Sequence, residues 1–158
     1  MRIQRSIRHT ALALALVSTV SGVGAATENA AARFLEQGGE PGTPWVSGGV
    51  GSDERQYMLG EYGSSYNLKL EFAVSDSSYL GGIDVVISKP AGGTVLTVHS
   101  RGPWLMTRLP PGDYRVRVTG YGRSVEQSLK VPARGLKSAV FKDWTEAEVS
   151  AALRAGSK

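Results

Sequence analysis

The sequence predicts an all-β protein, a seven-stranded antiparallel β-sandwich, and three observations carry that expectation. From Tyr66 onward apolar and polar residues alternate with a period of two, the repeat of a half-buried strand. The alternating runs are short and are separated by Gly, Pro, Ser and Asp clusters that break regular structure. Between the runs lies no segment long enough for the helical crossover that joins neighbouring parallel strands.

The chain has 158 residues and no cysteine, which excludes a disulfide framework, a thiolate metal site and a cysteine nucleophile. Residues 1–25 read as a Sec-type export signal. Arg2, Arg5 and Arg8 precede a short apolar core from Ala11 to Val20, and Val23-Gly24-Ala25 offers small residues for cleavage before Ala26. That core is about half the ~20 residues a membrane span requires, so no transmembrane anchor is expected after cleavage. Cleavage leaves 133 residues and removes three arginines, lowering the formal charge from +4 to +1. Nucleic-acid binding, which needs a concentrated basic surface, is therefore not expected. The expected location is the periplasm, or outside the cell if the protein is secreted.

Residues 26–62 read as a flexible lead-in with short helices. Ala26 to Gln37 is rich in Ala and Glu, and Gly38-Gly39-Glu40-Pro41-Gly42-Thr43-Pro44 ends any helix begun there. Gly48-Gly49-Val50-Gly51 invites comparison with a phosphate-binding loop, but the required third glycine spacing and any Gly-Lys-Ser/Thr are missing. The better reading makes Ser52 an N-cap, with Asp53 and Glu54 at the positive end of a short helix reaching about Leu59.

The sandwich is expected over residues 63–143. Tyr66, Leu68, Leu70, Phe72 and Val74 share one face of the first strand. Ile83, Val85 and Ile87 mark the second, and Thr94 to His99 the third. The stretch Gly102 to Val118 reads as two strands joined in a hairpin by Pro110-Pro111-Gly112-Asp113, with Tyr114, Val116 and Val118 facing the core. Trp104 and Met106 face one way and Leu105 the other, so the first of these strands is expected either to be covered on both sides or to bend before Leu109. Val125, Leu129 and Val131 mark the sixth strand, and Leu136 to Phe141 the seventh. In the tail, residues 144–158, Thr145 and Glu148 have capping-box spacing ahead of a short helix, with a frayed terminus as the alternative.

Gly82-Ile83-Asp84-Val85-Val86-Ile87, Gly102-Pro103-Trp104-Leu105-Met106 and Leu109-Pro110-Pro111-Gly112-Asp113-Tyr114-Arg115-Val116 resemble the carboxypeptidase regulatory-like domains, transthyretin-like (prealbumin-like) sandwich modules of exported bacterial proteins. The usual Asp-Gly step of that pattern is replaced here by Arg101-Gly102-Pro103-Trp104. The resemblance implies a fold and an accessory or binding role, with no reaction.

The residues agree with a non-enzymatic reading. His99 is the only histidine beyond the signal, and no Gly-x-Ser-x-Gly elbow occurs. Asp76, Asp84 and Asp113 lack the spacing of a calcium loop. No catalytic residue, metal or cofactor is expected. Two features remain as candidates for binding a protein or cell-envelope partner. One is aromatic, with Tyr79 and Tyr121 expected in loops, where rings stack on carbohydrate or anchor partner chains. The other is basic: Arg101, Arg108, Arg115, Arg117 and Arg123 crowd around the central stretch, either as an anion-binding patch or as a solvated sheet face. A carbohydrate-binding accessory domain using the aromatics is the alternative function.

Overall fold

The computed structural model describes residues 30–76 and 78–156; the expected export signal lies outside them. After a 3-10 helix at Ala30–Phe34 come β1 (Glu36–Gly38), β2 (Trp45–Gly48), α1 (Ser52–Tyr62) and β3 (Leu68–Val74). Then follow β4 (Ile83–Ser88), β5 (Thr94–Ser100), β6 (Trp104–Thr107), β7 (Gly112–Gly120), β8 (Arg123–Val131), β9 (Lys137–Trp144) and α2 (Glu146–Gly156). The strands form two sheets, ordered β1-β2-β6-β3-β9 and β5-β4-β7-β8, packed face to face as a sandwich.

All seven expected strands are present, and the alternation set their inward faces as anticipated except at Tyr66, which precedes β3 and packs against the outer cluster instead. Leu68, Leu70 and Phe72 from one sheet meet Ile83, Val85, Ile87, Tyr114, Val116 and Val118 from the other in a single core. Each such buried side chain contributes roughly 1.5–3 kcal/mol of gross hydrophobic stabilisation. Trp104 and Met106 indeed lie opposite Leu105: they join Val46 and Met58 in a second cluster, where α1 covers the outer face of the five-stranded sheet.

Four expectations are corrected. The strands number nine, because the lead-in supplies β1 and β2, and β2 lies inside the sheet against β6. Val46 is fully buried there, and the Pro44 carbonyl accepts hydrogen bonds from Thr107 Oγ1 (2.8 Å) and the Arg108 amide (3.2 Å). Second, Gly102 to Val118 is not a hairpin. β6 pairs with β2 and β3, while β7 pairs with β4 and β8, so Leu109-Pro110-Pro111 carries the chain from one sheet to the other. The prolines have no N–H to give to a ladder, Leu109 turns into the core, and the Tyr114 hydroxyl donates to the Pro110 carbonyl at 2.7 Å. That i to i−4 bond fixes the corner.

Third, the sandwich is not wholly antiparallel, because β3 and β9 are parallel neighbours. The crossover between them is the whole second sheet together with β6, rather than a helix. Fourth, α1 starts one residue off the expected position, with Gly51 as N-cap and no side-chain cap bond. In the tail the capping box forms as read: Thr145 N–H donates to Glu148 Oε2 (2.8 Å), and Glu148 N–H to Thr145 Oγ1 (3.3 Å). β9 also runs on to Trp144, which is fully buried and donates its Nε1–H to the Gly120 carbonyl at 2.9 Å.

Candidate functional site

The arginines singled out in the sequence do not form one patch. Arg117 donates to Glu126 Oε2 from Nε and Nη2 (3.2 and 2.9 Å) across β7 and β8. Arg123 donates to Glu148 Oε1 at 2.9 Å and so ties α2 to the β7–β8 turn, while Arg101 lies 3.4 Å from Glu36 at the sheet edge. Arg115 is exposed on the outer face of β7. Exposed pairs of this kind contribute about 0–1 kcal/mol each.

Nor do the two tyrosines meet in one groove. Tyr121 adopts φ 51° in the β7–β8 turn, packs on the core and donates its hydroxyl to the Gly81 carbonyl at 2.7 Å. Tyr79 is half exposed, its ring 4.8 Å from the Arg55 guanidinium, a cation–π contact. The groove that Tyr79 lines with Leu80 and Val149 does not include Tyr121.

His99 Nδ1 lies 2.7 Å from Asp84 Oδ1 on the open face of the four-stranded sheet. Asp76 accepts the Ser78 amide in a turn, and this hydrogen bond lowers its pKa from the ordinary value. Asp84 and Asp113 are held apart on β4 and β7. Among the described residues no group of three His, Cys, Asp or Glu side chains could hold a metal ion. The Gly48–Gly51 loop carries its own anion: Glu54 Oε2 accepts from the Gly49 and Val50 amides (2.9 and 3.2 Å). Arg55 Nη1 donates to the carbonyls of the same two residues (2.9 and 3.0 Å). A carboxylate thus occupies the amides a phosphate would use.

Two concave regions stand at opposite ends of the sandwich. The first is an apolar corner beside the 3-10 helix and the start of α1. A groove of about 510 Å³ lies between Leu35, Ser47, Gly48, Val50 and Gly102, and a neighbouring one of about 330 Å³ shares Phe34 and Glu54 with it. Phe34 and Val50, 75% and 70% exposed, are the most exposed large apolar side chains among the described residues. The floor is rigid. A Cβ on Gly102 would collide with the Gly48 carbonyl, and beneath it the buried Ser47 and Ser100 hydroxyls are 2.9 Å apart, with Ser100 donating onward to the Gly102 carbonyl. Arg33, Glu36, Glu54 and Arg101 put charges of both signs around the rim.

The second is a polar cleft of about 430 Å³ at the other end, lined by residues 64–67, Arg108 and residues 133–135. Asn67 builds its floor. The buried Asn67 amide donates to the carbonyls of Leu109 (2.8 Å) and Pro132 (3.0 Å), and its Oδ1 accepts the Leu109 amide (2.9 Å). Its backbone adds bonds to Thr107 and Lys137, so one residue fastens three loops. Arg108 is steadied by donating to the Ser65 carbonyl at 2.8 Å. Burial pushes the Tyr66 phenol above its ordinary pKa. Sequence reasoning missed this cleft: Asn67 shows no local pattern, and Arg134 stands apart from the other arginines.

In comparisons with known proteins, the chain matches no protein-family model and no curated protein at a significant level.

Proposed function

We propose that this chain is an exported, non-enzymatic β-sandwich module that docks onto a protein partner in the cell envelope. The observation that carries this reading is the apolar corner, where Phe34 and Val50 stand open to solvent beside two adjoining grooves. A soluble protein seldom leaves large apolar side chains grouped in this way unless something covers them. The charged rim suits a partner segment that presents an apolar anchor flanked by polar groups, the anatomy of a small interface. The transthyretin-like class belongs to the same proposal. It rests on the Leu109 to Tyr114 segment, which serves as a stiff link between the sheets.

The test is site-specific cross-linking. A photoreactive residue replacing Val50, in protein expressed in its own envelope, should give one discrete adduct. The same residue at Arg115, on the far sheet, should not give it, and Phe34→Asp should abolish it without lowering stability. Equal labelling from both positions, or none from position 50, overturns the reading.

A further inference from the structure

The polar cleft at the opposite end has chemistry of its own. Elsewhere, Arg101, Arg117 and Arg123 each face a carboxylate. Arg108 and Arg134 share one cleft and have no ion-pair partner among the described residues, and no acid lines its wall. The remaining wall includes Ser64 and Tyr66, while the Ser65 hydroxyl already donates to the Tyr62 carbonyl at 3.3 Å. Asn67 cannot compete for a ligand, because both its amide hydrogens and its oxygen are already used. Its fixed position means the cleft need not be organised on binding.

We infer that this cleft is a binding site for a phosphate ester, held between the Arg108 and Arg134 guanidiniums. Guanidinium groups match phosphate oxygens in bidentate geometry, and charge-assisted hydrogen bonds are about twice as strong as neutral ones. A volume of about 430 Å³ exceeds what a bare phosphate needs. It falls within the ~300–1,000 Å³ range of small-ligand sites, leaving room for the organic group of the ester. The site is independent of the apolar corner, so either assignment can fail without the other.

Calorimetry with inorganic phosphate and with glycerol 3-phosphate tests the soluble source. Co-sedimentation with phosphatidylglycerol vesicles, against phosphatidylcholine vesicles, tests the lipid headgroup. The site predicts binding of glycerol 3-phosphate or of the anionic vesicles that weakens as salt rises. Arg108→Gln or Arg134→Gln should each weaken it about tenfold or more, while Arg123→Gln at the other end leaves it unchanged. Binding only to vesicles assigns a headgroup; binding of the soluble ester assigns a free metabolite class. No binding of any probe, or equal losses in Arg134→Gln and Arg123→Gln, overturns the inference.

Discussion

Replacing Asn67 with Ala should be among the most damaging single changes to this protein. The substitution removes three side-chain hydrogen bonds of 2.8 to 3.0 Å that reach across 42 and 65 residues of sequence. Each satisfied bond contributes about 1 kcal/mol net, and each buried group left unpaired costs about 1–3 kcal/mol. Water can enter the adjoining cleft and satisfy part of the loss, so about 3–4 kcal/mol is expected, against a total stability of roughly 5–15 kcal/mol. For a domain of this size that corresponds to a midpoint lowered by ~10–15 °C. Tryptophan fluorescence follows the unfolding well, because Trp144 lies in the main core and Trp104 in the outer cluster. Urea titration should show a lower midpoint with unchanged slope. A loss below about 1 kcal/mol would refute the argument that Asn67 fastens the loops.

Three further outcomes are expected. Tyr114→Phe keeps the buried ring but loses the bond to the Pro110 carbonyl, so urea denaturation should show a loss of about 0.5–1.5 kcal/mol; a neutral result would remove the hydroxyl from the account of the corner. Gly102→Ala drives a Cβ into the Gly48 carbonyl and should cost about 1–3 kcal/mol by the same assay, with chemical-shift changes centred on residues 47–49. Glu148 has its pKa lowered, first by the Thr145 amide bond and then by the Thr145 hydroxyl. A carboxyl depressed in the folded state adds stability above its unfolded value, and that stability is lost as pH falls through the folded one. The stability gap between the parent and Glu148→Gln should therefore be full at neutral pH, begin to shrink near the ordinary Glu value of ~4.3 and disappear as pH falls through the lower folded value; a gap independent of pH would reject the charge as its cause.

Much of the sandwich was legible because burial imposes a period of two. Tyr114, Val116 and Val118 can only be read as one face, and the structure puts all three in the core. Partner choice carried no such signal. The Pro-Pro-Gly-Asp stretch satisfies the local chemistry of a hairpin turn and of a sheet-to-sheet link equally well, and only the register of β6 on β2 and β3 separates the two. β2 was hidden because the three residues between Pro44 and the glycine run that starts at Gly48 offer too short a pattern. The sites were least legible. Arg101, Arg117 and Arg123 look like a patch in sequence, yet each is met by an acid brought from elsewhere in the chain. Arg134 looks incidental, and folding sets it in the same cleft as Arg108.

The parallel pairing of β3 with β9 also bears on how the chain reaches its fold. Leu68 must find Lys137, and Phe72 must find Phe141, after the whole second sheet has been made. Such long-range pairings raise contact order and slow folding. A chain emerging N-terminus first would hold β3 with one side unpaired until residues 137–144 arrive, and an open strand edge invites pairing with other chains. Interrupted synthesis just short of β9 should thus yield an aggregation-prone species rather than a smaller stable domain. Assembly is completed by the last strand made.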